Sequence, residues 1–120
     1  MSAIAELTTV VMDCADPAPL AEFYRAVTGW KVTYSDEERV HLGNGAGVDL
    51  AFQQVEGYEP PTWPGVAKQA HLDLKVRDLT LAVKKAKAVG ATKPDFQPGG
   101  DEWVVLADPE GHLFCLIASD

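Results

Sequence analysis

Apolar residues recur at helical spacing in two stretches of this chain. Leu20, Phe23, Tyr24 and Val27 make one stripe, and Leu79, Ala82, Val83, Ala86 and Val89 make another. Asp16 and Asp78 precede these stripes, where a side-chain oxygen can cap the free N–H groups of a first helical turn. Pro17 and Pro19 fall in that first turn, where proline is tolerated. Gly29 and Gly90 follow, as glycine does at a left-handed C-cap. The spacing predicts helices over 17–28 and 79–89. Shorter apolar runs predict strands near 5–13, 31–36, 38–43, 48–55, 69–76, 92–97, 102–107 and 112–118. Asn44-Gly45 and Asp108-Pro109 break the third and seventh of the intervals between these runs, so both read as hairpin turns.

The pattern repeats. Val40 to Phe52 overlays Val104 to Leu116 without a gap: apolar strand, short turn ending in glycine, second apolar strand. Thr8 to Asp13 overlays Ala70 to Lys75 in the same way. Each unit is therefore a β-α-β-β-β module. The expected fold is α+β, with two tandem modules forming a curled mixed sheet around a central cavity and the helices outside. One domain spans 1–120, with module one at about 4–55, a connector at 56–68 and module two at about 69–120.

Side chains alternate across a strand. Val10 and Met12 should pack under the first helix, leaving Thr9, Val11 and Asp13 on the other face. Ala70, Leu72, Leu74 and Val76 should pack under the second, leaving His71, Asp73 and Lys75 opposite. Asp49, Ala51 and Gln53 share a face, as do Leu113, Cys115 and Ile117. The repeat makes Thr9 equivalent to His71 and Ala51 equivalent to Cys115. If both sheets curl around one space, these four side chains converge.

Composition narrows the field. The chain has 120 residues, 47% of them hydrophobic, and no run reaches the roughly 18 apolar residues of a membrane span. The first residues lack the basic start of a secretory signal, so a cytoplasmic location is expected. A net charge of −8 disfavours nucleic acid and anionic membrane as partners and favours cationic small molecules. Two cysteines, Cys14 and Cys115, are too few for a disulfide framework and match no zinc spacing. They read as reduced structural thiols.

These residues resemble the vicinal-oxygen-chelate family, in its glyoxalase-like and bleomycin-resistance-like branch. Val10 to Pro17, Phe23-Tyr24 and Thr28-Gly29-Trp30 resemble its first module. His71 to Asp78 and the turn Asp108-Pro109-Glu110-Gly111-His112 resemble its second. The resemblance implies a homodimer. In metal-dependent members it also implies a divalent ion that binds vicinal oxygens of a substrate. Carried onto this chain, the ligand positions are Thr9, Ala51, His71 and Cys115. His71 matches; Thr9 departs, Ala51 has no ligating atom, and Cys115 stands where glutamate is usual. The expectation is therefore no metal and no cofactor.

Other residues carry weaker signals. His71 and Cys115 make a candidate nucleophile pair, and His71 with Asp73 a candidate acid–base pair. The connector Glu56 to Gly65 holds three prolines, Tyr58 and Trp63, and reads either as a stiff linker or as a cavity wall. Trp103 and Trp30 share that ambiguity. His41, His112 and the acidic run Asp36-Glu37-Glu38 read as solvated. Thr9, Ala51, Gln53, Trp63, His71, Trp103 and Cys115 form the candidate ligand-binding set; His71, Asp73 and Cys115 are the catalytic candidates. The sequence favours a metal-independent protein that binds a small aromatic or cationic molecule, such as an antibiotic or other secondary metabolite. The alternative is a lyase, isomerase or dioxygenase of the glyoxalase type.

Overall fold

A computed structural model describes residue 3, residues 6–65 and residues 70–119. The expected connector residues 66–68 and strand residue 69 lie outside the described residues. Chain contacts divide the protein into two compact units, Met1–Tyr58 and Glu59–Asp120. The division falls within the expected connector. Among the described residues, no helix is long and apolar enough to cross a membrane.

The first unit runs β1 (Thr9–Cys14), α1 (Pro17–Thr28), β2 (Lys31–Ser35), β3 (Arg39–Gly43) and β4 (Asp49–Gln54). Its sheet has the order β1-β4-β3-β2, with β1 parallel to β4 and the other pairs antiparallel. The helix ends at Gly29, whose φ of 73° places its N–H on the Arg25 carbonyl. Asp16 stands at the N-cap, but its side chain makes no cap hydrogen bond, contrary to expectation. The helix buries Leu20, Ala21, Phe23 and Tyr24. The Tyr24 ring stacks on Phe52 with centroids 5.2 Å apart. The helix lies mainly against β3 and β4. Val10 is therefore 39% exposed instead of covered, because β1 is an edge strand.

The second unit runs β5 (Leu72–Val76), α2 (Leu79–Ala88), β6 (Trp103–Ala107) and β7 (Leu113–Ala118). Its sheet has the order β5-β7-β6, with β5 parallel to β7 and β6 antiparallel to it. Asp78 caps α2 as expected, accepting from the Leu81 N–H at 3.0 Å. This helix lies on β7 and β6. Leu72, Leu74 and Val76 on edge strand β5 are accordingly only half-buried, and Ala70 is exposed.

The expected strand at 92–97 does not form. Only a bridge between Thr92 and Ala107 remains, so the second sheet has three strands where four were expected. Pro94 and Pro98 remove two backbone donors that a ladder would need. The side chain of Gln97 substitutes for the missing strand. Its amide donates to the Val105 carbonyl at 2.8 Å and its oxygen accepts from the Val105 N–H at 2.9 Å.

Candidate functional site

The face of the second sheet turned away from α2 is built by strand register. Parallel pairing sets Asp73 beside Cys115 and Lys75 beside Ile117. Antiparallel pairing sets Val105 beside Cys115, Trp103 beside Ile117 and Ala107 beside Leu113. Paired residues point the same way, so these side chains share one surface. Val105, Leu113 and Cys115 form a buried apolar cluster, against which Trp63, Trp103, Ala107 and Ile117 pack. Trp63 donates its indole N–H to the Phe96 carbonyl at 3.0 Å, and its ring lies 5.8 Å from that of Phe96. The half-exposed Phe96 ring extends this aromatic surface.

A polar group stands at the edge of the cluster. His71 lies just before β5, two residues from Asp73 and on the same side of the chain. Its Nε2 is 3.1 Å from Asp73 Oδ1. The thiol of Cys115 joins them, with the three ligating atoms all within 4.8 Å of one another. His71 and Asp73 are exposed and Cys115 is buried. The thiol therefore sits at the bottom of the group and the two hydrophilic side chains at its mouth. This is a nitrogen, an oxygen and a sulfur donor within reach of one small ion or of one polar ligand atom.

Among the expected site residues, the structure groups Trp63, His71, Trp103 and Cys115 in the second unit, together with Asp73. Thr9, Ala51 and Gln53 belong to the first unit. There Ala51 is 0% exposed and lies beside Val11 on β1 and His41 on β3. The Thr9 hydroxyl donates to the neighbouring Thr8 hydroxyl at 3.5 Å. Gln53 is exposed, and its backbone carbonyl accepts from the buried Cys14 thiol at 3.5 Å. The pairing of Val11 with Ala51 repeats that of Asp73 with Cys115. The polar Asp73 thus occupies the place that an apolar Val11 takes in the first unit.

The four positions that the resemblance assigns to a hard divalent ion do not fit one here. Ala51 has only a methyl group, and the thiolate of Cys115 is softer than the carboxylate it replaces.

Two histidines differ from the solvated groups expected. His41 is half-buried, with its ring edge-on to Tyr34 at 5.5 Å. His112 is also half-buried, with Nδ1 2.8 Å from Oδ2 of the buried Asp108. Asp108 also accepts the backbone N–H groups of Glu110 and His112. The spacing of an aspartate four residues before a histidine across a Pro-x-Gly turn was the available signal. The acidic tip is exposed as expected. The Tyr34 hydroxyl donates to Asp36 Oδ2 at 2.6 Å. That bond holds the Asp36 carboxyl below its ordinary value and raises the tyrosine above its own.

The βαβββ pattern, complete in the first unit and one strand short in the second, defines a class of protein rather than one activity. The glyoxalase-like domain family matches residues 9–117, and the chain belongs to that family. Solved structures share the fold. A glyoxalase/bleomycin resistance protein/dioxygenase family enzyme from Burkholderia phytofirmans PsJN is 24% identical with a TM-score of 0.70, covering 93% of this chain and 97% of its own. A genomically encoded fosfomycin resistance protein from Listeria monocytogenes is 17% identical with a TM-score of 0.74, covering 98% and 94%. A protein from Agrobacterium tumefaciens is 16% identical with a TM-score of 0.73, covering 98% and 99%. No curated protein matches this chain.

Proposed function

We propose that this chain binds a small, flat, cationic organic molecule, and does so without the hard divalent centre of metal-dependent relatives. The observation that carries the reading is the composition of the second unit's face turned away from α2. Its floor is apolar (Val105, Leu113, Cys115), Trp63 and Trp103 lie against it, and the His71–Asp73 pair stands at its edge. Such a surface suits a planar ligand, with the polar groups fixing orientation. The methyl of Ala51 at an expected ligand position supports the second half of the reading. Antibiotics and other secondary metabolites supply ligands of this class, and sequestering one would be a resistance function. A homodimer, on the resemblance, and a cytoplasmic location complete the reading.

The test is tryptophan fluorescence of chelator-treated protein titrated with a panel of aromatic cations. Saturable quenching by at least one, reduced at least tenfold in affinity in Trp63→Ala, is expected. A flat response across the panel would overturn the reading. An enzymatic reading has one observation of its own: the 3.1 Å approach of His71 Nε2 to Asp73 Oδ1, which suits an acid–base pair. It requires turnover of a small oxygenated substrate that His71→Ala loses while the fold survives.

A further inference from the structure

Register on the first sheet lines up two rows of side chains. Across β1, β4, β3 and β2, one row reads Val11, Ala51, His41 and Tyr34. The next reads Asp13, Gln53 and Arg39. Both rows lie on the face turned away from α1, because Phe52, which stacks on Tyr24 of that helix, alternates with Ala51 and Gln53 along β4. Tyr34 joins its row through a bulge. The register of β2 slips between Val32 and Tyr34, so Tyr34 pairs with His41 instead of Val40. Bulges re-aim side chains and are over-represented beside functional sites. This one brings the Tyr34 ring edge-on to His41, with centroids 5.5 Å apart.

Arg39 supplies a second, independent observation. Its Nε is the one buried side-chain nitrogen or oxygen without a hydrogen-bond partner among the described residues. Arg39 also forms no ion pair among them, although Asp36, Glu37 and Glu38 immediately precede it. Asp36 is engaged elsewhere: its carboxylate accepts the Tyr34 hydroxyl at 2.6 Å and the Glu38 N–H at 2.8 Å. A buried donor left without an acceptor is costly, and one this isolated calls for a partner from outside the chain.

We propose that this face of the first unit binds a small aromatic carboxylate, with Arg39 and Gln53 holding the carboxylate and Tyr34 and His41 the ring. The site shares no residue with the second unit and does not rest on the function proposed above.

Guanidinium geometry selects the head group. Its planar Nε–Nη edge presents two parallel N–H groups that match the two oxygens of a carboxylate. Nε is closed off from solvent, so water does not serve it, and rotation of the side chain brings that edge to an acceptor on the face. The exposed Gln53 amide stands directly across the pair from Arg39. Asp13 occupies the far end of the same row, which keeps the anion at the Arg39 end.

Spacing and shape select the rest of the ligand. The two rows lie about 7 Å apart, the length of two extended residues, and one ring with one carboxylate fills that interval. Tyr34 is exposed, and its ring meets that of His41 at 78°, so a third ring lies flat on one and edge-on to the other. The exposed Val11 extends the apolar row. A net charge of −8 opposes the distant approach of an anion, so contact rather than steering holds this ligand.

The experiment titrates the full ¹⁵N-labelled chain with benzoate in slightly acidic buffer and follows the arginine Nε–H signals by NMR. The chain has three arginines, so Arg25 and Arg77 serve as internal references. The expected result is a saturable downfield shift of the Arg39 signal alone, half-complete at about 1 mM benzoate or less. Benzyl alcohol, with the same ring and no charge, should not produce it. Arg39→Lys keeps the charge but loses the fork, and should weaken binding at least tenfold, read from the backbone amides of His41 and Gln53. Tyr34→Ala should weaken it at least threefold. Three outcomes would overturn the proposal: an Arg39 signal that stays still or moves no more than those of Arg25 and Arg77, an Arg39→Lys protein that binds benzoate as tightly as its parent, or a Tyr34→Ala protein that does. If a variant fails to fold, the Arg39 signal of the parent chain decides alone. The readout lies wholly in the first unit and the probe carries no positive charge, so it stands or falls separately from the quenching titration above.

Discussion

Asp108 is a buried carboxylate that ties its own turn together. Its oxygens accept from the Glu110 and His112 N–H groups and meet His112 Nδ1, while its own N–H donates to the His112 carbonyl. Replacing it leaves backbone donors and an imidazole unpaired in a buried place. Asp108→Ala should therefore destabilise the protein by about 2–4 kcal/mol, read as a lowered urea midpoint at constant slope. A loss under about 0.5 kcal/mol, the scale of an ordinary surface change, would contradict this account. Alternation along β5 made His71, Asp73 and Lys75 legible as one polar face, and along β7 it put Cys115 on one face with Leu113 and Ile117. The pairing of His112 was not legible. A turn residue has no period, and its side chain's direction depends on how the chain folds back.

At the scale of elements, the two helices were readable from their stripes, and both start where expected, at Pro17 and Leu79. What each helix covers was not readable. Periodicity shows which side of a strand is apolar, not where that strand stands in its sheet. Val10 and Leu72 lie on the apolar side of edge strands, so no helix fully covers them. The segment 92–97 failed as a strand for a local reason, Pro94 within it and Pro98 just after it, and was rescued by a long-range one, the Gln97 amide on Val105. Gln97→Ala should cost about 1–3 kcal/mol, because two backbone groups of β6 lose their partners at once. Chemical denaturation measures the loss, and amide exchange at Val105 should accelerate with it. Unchanged protection there would show that solvent satisfies those groups equally well.

For the whole molecule, a net charge of −8 on 120 residues acts on anything that approaches. A cationic ligand should be drawn in by the summed field, and salt should screen that attraction over about 10 Å at 0.1 M ionic strength. Its association rate should fall severalfold between low and moderate salt in stopped-flow quenching, with dissociation little changed. A rate indifferent to salt would mean that the charge serves solubility alone. The two compact units correspond to the repeat seen in the sequence, and their sheets, of four and three strands, show where the copies have diverged.

By itself the sequence determined the secondary elements other than the strand expected at 92–97, the two-module α+β architecture and the family. Hydrophobic period, caps and turn residues are local properties, and the repeat stated them twice. The tertiary structure decided which donors meet. Asp73 joins His71 and Cys115 because β5 pairs with β7 in a particular register. A shift of one residue would turn Asp73 to the opposite face and break the group, and nothing local to residues 71–73 or 115 states that register.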